Sequence, residues 1–300
     1  MSFRLRLRGP GGEPVDLART LSSHGFADLA PLRLDEAAVT LEATVRVSTG
    51  RPRRVRLRRA GATAVGVEIL GPRVGARTEE EVAVGVRHLL RLDQDLSAFY
   101  EAIAEDPDLS WASAGAGRML RSPTVFEDVV KTVCTTNCAW SATVRMVNAI
   151  VSGLGDPVAG TSDPLTNAFP TPRAMAAAPD AFYRDEARAG YRGAYLRELA
   201  RSVTAGEVDL EAFGASQAPD EDVEERLLTL PGVGPYAAAH IMMTLGRNSR
   251  LILDSWTRPT YARLVGRPRV SDTAIRRRFR RYGDQGGLAF WLFITRDWVT

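Results

Sequence analysis

Leu230-Pro231-Gly232-Val233-Gly234-Pro235-Tyr236 is followed, eighteen residues after its tyrosine, by Asp254 within Leu251-Ile252-Leu253-Asp254-Ser255-Trp256. Val223, Leu227 and Leu228 recur at helical spacing before the Pro-Gly break, and Tyr236, Ala239, His240 and Met243 recur after it. Two short helices therefore meet at a glycine hairpin, at about 221–246. Gly232 and Gly234 can take positive φ without a Cβ clash, and Pro235 suits a first helical turn because its missing N–H would be unpaired there. Free N–H groups at such a helix start bind phosphate through the helix dipole and direct hydrogen bonds, without reading sequence. Taken alone, these residues are equally compatible with an ordinary helix-helix turn.

The segment resembles the helix-hairpin-helix of the endonuclease III superfamily of DNA glycosylases, in which an aspartate follows the hairpin at a constant interval. Tyr236 to Asp254 matches that interval. The resemblance runs from about Ser122 to the end. Ser122-Pro123-Thr124-Val125-Phe126-Glu127 through Cys134-Thr135-Thr136-Asn137-Cys138-Ala139-Trp140 is similar to the helix pair carrying a base-reading loop in 8-oxoguanine glycosylases. Gly190-Tyr191-Arg192-Gly193-Ala194-Tyr195 resembles their loop against the opposite strand, and Gly287-Leu288-Ala289 through Thr295-Arg296-Asp297-Trp298 their closing helix.

The resemblance implies Asp254 as the catalytic carboxylate, stabilising positive charge on the sugar as the glycosidic bond breaks and orienting the attacking water. Read by itself, an aspartate before a helix is an N-cap, and Ser255 to Leu264 reads as a helix. A flipped base must be held between aromatic or apolar walls. Tyr236, Trp291, Phe293 and Trp140 are the pocket candidates, with core packing as the competing reading of each aromatic. Gly232, Val233 and Gly234 are the expected phosphate cradle. Asn137 can both donate to and accept from a base edge, and Tyr191 and Arg192 are candidates for filling the vacated stack.

Tyr236 departs from the lyase branch of the family, which carries a lysine at that position. A lyase needs an amine for its Schiff base, and arginine cannot deprotonate to supply one. Lys131 is the single lysine among 39 basic residues and lies outside the hairpin. The expectation is a monofunctional glycosylase using water, acting on an alkylated purine. An 8-oxoguanine or uracil/thymine mismatch glycosylase and a non-catalytic lesion-binding protein are the alternatives.

The first third alternates apolar and polar residues at Phe3, Leu5 and Leu7, at Leu41, Ala43, Val45 and Val47, and at Val65, Val67 and Ile69. This predicts an antiparallel sheet, with a helix at about Asp16–His24 and another to about Leu92 opened by a Thr78/Glu81 capping box. Arg54, Arg56 and Arg58 alternate with Val55 and Leu57 as a half-exposed strand. The expected fold is mainly α: an N-terminal α+β sheet domain at 1–112 and a helical glycosylase domain at 113–300. That architecture resembles 3-methyladenine glycosylase II and 8-oxoguanine glycosylase. Ser122-Pro123 and Thr171-Pro172 read as helix starts.

Composition agrees: 300 residues suggest about two domains, 45% hydrophobic residues supply two cores, and the net charge is +3 with a pI near 9.1. Arg276-Arg277-Arg278-Phe279-Arg280-Arg281 is a helical cluster that could meet phosphates or simply face solvent. Double-stranded DNA is the expected partner of a monomer. With two cysteines, Cys134 and Cys138, an iron-sulfur cluster is not expected, and a zinc site would have to draw on His24, His88 and His240. No cofactor is expected, although the resemblance allows a monovalent cation at the hairpin. No apolar run is long enough to span a bilayer and the start does not read as a signal peptide, so a cytoplasmic, nucleoid-associated protein without a membrane partner is expected.

Overall fold

A computed structural model describes residues 1–48 and 50–299. In chain order the strands are β1 (Ser2–Arg6), β2 (Arg33–Asp35), β3 (Thr40–Val45), β4 (Arg53–Arg59) and β5 (Ala64–Ile69). The helices are α1 (Leu17–Leu21), α2 (Ala76–Leu89), α3 (Ser97–Ile103), α4 (Val125–Thr135), α5 (Trp140–Leu154), α6 (Pro172–Ala177) and α7 (Arg192–Thr204). They continue with α8 (Glu211–Ala215), α9 (Asp220–Leu228), α10 (Pro235–Leu245), α11 (Thr257–Leu264), α12 (Asp272–Phe279) and α13 (Gly286–Thr295).

The strands form one antiparallel sheet in the order β1-β5-β4-β3-β2. Alternation sets its register: Leu41 faces Leu57, Leu57 faces Val67 and Val67 faces Phe3, so the apolar set shares one face. That face packs on Val82, Val86 and Leu89 of α2. On the other face Arg56 bridges Glu42 at 2.8 Å and Glu68 at 3.3 Å across three strands, so this arginine is consumed by sheet pairing. Arg54 is buried instead, donating to the Pro31 carbonyl and to Thr44 Oγ1.

Several expected helix ends move. The helix at Asp16–His24 shortens to α1, with Asp16 as its cap, and a 3-10 turn follows at Gly25–Asp28. Thr78 and Glu81 form no capping box: α2 starts at Ala76, and Glu81 accepts from the Ser48 backbone N–H at 2.7 Å. Long-range pairing with the β3–β4 connection outcompetes the local cap. Ser122 does not cap α4; Thr124 does, accepting from Glu127 N, while the Ser122 backbone N–H donates to Asp128. Thr171 caps α6 as its spacing predicts.

A central cluster draws on α4, α5, α7, α9 and α10 and takes in Phe26, Leu29 and Ala30 from the N-terminal part. A further cluster joins Leu96–Met119 residues to α13, and the boundary expected near 112 falls within that stretch. Helix α10 is the wall common to both clusters. Ala237, Ala238, Ile241 and Met242 face the first, Ala239 and Met243 the second, and Tyr236 packs against each. This accounts for a helix apolar on nearly all sides. Leu228, expected on the buried face of α9, is 42% exposed, whereas Val223 and Leu227 are fully buried.

Glu13 ties these layers together, accepting from Arg118 at 2.5 Å and from the Leu96 backbone N–H at 3.0 Å, all inside the protein. Glu13→Ala would leave the Arg118 guanidinium buried without its carboxylate, at a cost of about 3–5 kcal/mol. Urea unfolding followed by circular dichroism should show that loss as a lower midpoint with an unchanged slope.

Candidate active site

At the hairpin Gly232 takes φ +78°, and a Cβ there would stand 3.0–3.1 Å from Tyr195 and Val133. Both the left-handed turn and the close approach therefore demand glycine. Gly234 does not share the positive φ expected of it; it is extended at φ −101°, ψ −176° and forms the exposed cap of α10, with Pro235 at the first turn. The Val233 N–H is spent on the Leu230 carbonyl at 3.1 Å and its side chain is buried. The Val233 N–H is thus unavailable to a ligand, while the N–H groups of the first turn of α10 have no intrahelical acceptor.

Asp254 lines, together with the hairpin, a cleft of about 1550 Å³. Its Oδ1 accepts from the backbone N–H groups of Trp256 at 2.8 Å and Thr257 at 2.6 Å, while its own N–H donates to Thr257 Oγ1 at 2.8 Å. This reciprocal cap clamps the side chain to the start of α11. The Oδ2 atom accepts no hydrogen bond from the described residues and is left for chemistry in the cleft. The capping and catalytic readings of Asp254 thus use different oxygens.

Tyr236 lines the cleft, its hydroxyl 3.4 Å from Thr135 Oγ1. Burial raises its pKa, so it remains a neutral phenol. Trp291 and Trp140 also line the cleft. The Trp291 indole N–H donates to the Ser23 carbonyl at 2.8 Å, which sets its ring plane. Trp140 lies over Gly25, where a Cβ would come within 2.8 Å of the indole, so glycine is what lets the ring rest on the backbone. Asn137, held at φ +47°, donates to the Tyr191 hydroxyl at 3.3 Å, and both are exposed at the rim.

Two expected site residues lie elsewhere. Phe293 is 2% exposed among Tyr261, Phe279 and Phe290, with the Arg278 guanidinium 4.3 Å above its ring. Two positions beyond Trp291 on a helix is nearly the opposite face, so both residues cannot look into one cleft. Arg192 is 7% exposed; its Nε donates to the Thr136 carbonyl at 2.9 Å and its guanidinium stacks 4.6 Å from the Tyr191 ring. It holds the Asn137 loop from behind. In the 276–281 cluster, Arg278 pairs with Asp108 and Arg281 with Asp106.

Lys131 is completely buried, its ammonium 2.7 Å from Glu127, and does not line the cleft. Burial pushes the Cys134 thiol up to about 12, and Cys138 contacts Thr143 Oγ1 at 3.3 Å. Among the described residues no group of three or more His, Cys, Asp or Glu side chains is placed to hold a metal ion. No described helix is long and apolar enough to cross a membrane.

Over 99% of both chains the structure superposes on a 3-methyladenine DNA glycosylase from Archaeoglobus fulgidus, at 21% identity and a TM-score of 0.75. An 8-oxoguanine glycosylase/lyase of Clostridium acetobutylicum, bound to double-stranded DNA with cytosine opposite 8-oxoguanine, matches at 22% identity and a TM-score of 0.64. That match covers 85% of this chain and 88% of the other. The fold is that of the helix-hairpin-helix DNA glycosylases. In sequence, 158 residues are 25% identical to an N-glycosylase/DNA lyase of Saccharomyces cerevisiae. They span 49% of this chain and only 42% of that protein. No family model matches the chain.

Within this glycosylase fold the cleft holds residues that sequence reasoning did not assign to it. Trp256 and Trp298 join Trp291 in a cluster with ring centres 5.4–6.0 Å apart at the rim. Asp28 and Glu36 reach it from the N-terminal part. His24 and His240 form its inner wall, their ring centres 5.8 Å apart. His240 had a local signal, the four-residue spacing from Tyr236 that puts both on one helix face; Asp28, Glu36 and His24 had none, because tertiary packing alone brings them in.

Burial pushes His24 down to about 3 and His240 to about 4. The unfolded chain therefore takes up protons below about pH 6.5 that the folded chain refuses, so this stability is complete above pH 6.5 and is lost as pH falls toward 4. Between pH 7.5 and 5.0 the wild type should lose about 2 kcal/mol more than His240→Phe, which has no imidazole to titrate. Paired urea titrations at the two pH values measure the difference.

Proposed function

We propose that the chain is a monofunctional DNA glycosylase that flips an alkylated purine out of the duplex and hydrolyses its N-glycosidic bond. The observation that carries this reading is the placement, around one cleft, of a helix N-terminus fit for phosphate, an aspartate with one uncommitted oxygen, and aromatic walls. The first turn of α10 holds the backbone phosphate beside the lesion. Asn137 and Tyr191, at the rim beside Tyr195, contact the strand the base has left. The flipped base enters between Tyr236, Trp140 and Trp291, and Asp254 Oδ2 faces the sugar, where it stabilises the developing oxocarbenium charge and orients water.

Alkylation is favoured by the cleft's electrostatics. An alkylated purine is cationic, and ring faces attract cations. Asp28 and Glu36 add negative charge to the lining of the cleft, and the two inner histidines are neutral, so no fixed positive charge opposes the base. The leaving group is already activated, which suits a site with a single well-placed carboxylate.

Base release should be measured under single-turnover conditions on duplexes containing 3-methyladenine, 7-methylguanine, 8-oxoguanine, hypoxanthine, uracil and a G·T mismatch. Alkylated purines should be released fastest, and Asp254→Asn should bind duplex as the wild type does while releasing base at least about 100-fold more slowly. Tight binding without release from any duplex would instead identify a lesion-binding protein.

Absence of lyase chemistry is supported by the burial of the sole lysine outside the cleft. Products should be intact abasic strands that break only on heating or alkali, and borohydride should trap no protein-DNA adduct. A Schiff-base adduct that disappears in Lys131→Met would overturn this.

A further inference from the structure

On the outer face of the sheet, two neighbouring rows of side chains are in opposite electrostatic conditions. One row carries Glu68, Arg56 and Glu42 on β5, β4 and β3, and its arginine is bridged by a carboxylate on each side. Two residues along, the next row carries Arg4, Gly66, Arg58 and Thr40 on β1, β5, β4 and β3. Arg4, Arg58 and Arg6, which stands opposite Ala64, are exposed, and among the described residues their side chains form no ion pair or hydrogen bond. The fold does not demand the glycine between them. Gly66 has no positive φ, and a Cβ there would meet Ala60 at 3.4 Å and the Arg58 carbonyl at 3.6 Å, which are ordinary contacts. A strand glycine that neither turn nor packing requires marks a close approach from outside. Thr44 Oγ1 donates to the Thr166 carbonyl at 2.7 Å and the Ala159 N–H to the Pro52 carbonyl at 3.3 Å. The connection between α5 and α6 therefore covers the other end of this face and leaves the arginine end open.

We propose that Arg4, Arg6 and Arg58 flank a second site for double-stranded DNA, separate from the cleft, so that one protein holds two duplex segments at once. Arginines from β1 and β4 stand on either side of β5, their backbones two strand spacings or about 10 Å apart, with only Gly66 and Ala64 between them. A sugar-phosphate strand laid along β5 meets guanidinium groups on both flanks, and the guanidinium fork matches phosphate geometry. Arg4 and Arg6 follow one another at about 7 Å along β1, close to the interval between successive phosphates of a strand. Protection of an edge strand accounts for charge on β1. It does not account for Arg58, two strands inside that edge, nor for the lack of acids in a row whose neighbour has them. The cleft opens at the opposite edge of the sheet: Leu34 of β2 lines it, and β2 lies four strand spacings from β1, about 19 Å. A duplex whose base occupies the cleft therefore leaves the arginine row to another segment. Contacts to phosphate read no sequence, so this site suits transfer during a search, the protein gripping a new duplex before it releases the old one. The inference goes beyond the glycosylase reading and needs from it only that the cleft binds DNA.

The test fills the cleft with a donor-labelled duplex carrying an abasic-site analogue and adds an acceptor-labelled undamaged duplex, reading energy transfer between the two. Wild-type protein should bring them together, with an acceptor affinity that falls with salt at a logarithmic slope of about −3 for three arginine-phosphate contacts. Gly66→Glu sets a carboxylate between Arg4 and Arg58 as Glu68 stands beside Arg56, and should weaken acceptor binding at least tenfold. The triple variant Arg4→Gln, Arg6→Gln, Arg58→Gln should do the same. Both variants should unfold at the wild-type urea midpoint, bind the donor duplex normally and match wild type in single-turnover base release. Unlabelled duplex should speed departure from the donor duplex in proportion to its concentration for wild type and not for either variant. No energy transfer with wild type, or undiminished transfer in both variants, would overturn the inference and leave the arginines as guards of the sheet edge. Tighter binding of anionic lipid vesicles than of duplex at the arginine row would also overturn it. Energy transfer by a protein that releases no base from any duplex would uphold the second site and overturn the glycosylase reading, and base release without energy transfer would do the reverse.

Discussion

A left-handed turn at Gly232 is the constraint on which the site depends. A Cβ at that position would press on Tyr195 of α7 and Val133 of α4, so the glycine lets the hairpin seat itself between those helices. Once seated, α10 runs through the middle of the protein as the shared wall of two apolar clusters, and its direction is no longer free. Three consequences follow from that direction. The first turn of α10 leaves N–H groups without intrahelical acceptors, Tyr236 and His240 line the cleft one turn apart, and the chain leaving α10 returns through Leu251 and Ile252 to bring Asp254 to the same cleft. Moving the hairpin would displace the first turn of α10 and the Tyr236 wall of the cleft together.

The cleft is assembled so that its charges are few and placed. Its inner end is neutral: two imidazoles hold no proton and the Tyr236 phenol keeps its own, in each case because burial penalises the charged form. Its carboxylates sit nearer the surface, Asp254 on the α11 side and Asp28 with Glu36 on the other. Desolvation raises the Asp28 carboxyl, and the neighbouring Glu36 charge adds to that. A cation entering such a cleft meets ring faces and acceptors and displaces no positive side chain. The basic residues that attract a polyanion are kept outside, and several of them, including Arg56, Arg278 and Arg281, are neutralised by carboxylates within the protein.

Features legible in the sequence are those whose cause is local. The hairpin, the alternating strands and the Thr171 cap follow from residue type and spacing, which neighbours a few positions away decide. Legibility fails where a distant partner competes. Glu81 had the spacing of a capping box but found Ser48 instead, and Ser122 stood where a cap belongs but went to Asp128. Phe293 and Trp291 looked equivalent as aromatics of one helix, yet helix rotation sends one into the Tyr261–Phe279 cluster and the other to the cleft. Arg192 read as a candidate for filling the vacated stack because nothing local showed that the Thr136 carbonyl would bury its head group. Asp28, Glu36 and His24 were silent for the same reason, since their approach to the hairpin depends on how Phe26, Leu29 and Ala30 pack into the cluster of α4, α5 and α10.

The single lysine shows how composition can constrain chemistry. Every other basic side chain of this protein is a guanidinium, which stays charged and cannot become a nucleophile under ordinary conditions. The one amine is enclosed with Glu127, whose carboxyl is raised by burial, and a Phe169 ring lies 5.9 Å away. Its ammonium is paired with Glu127 and donates to Ser122 Oγ at 3.4 Å, so freeing it would leave a buried carboxylate without its partner. An amine held that way cannot reach a sugar in a cleft it does not line. Tyr236, in the hairpin, is a phenol that burial keeps protonated, so the proposed chemistry there falls to Asp254 and a water.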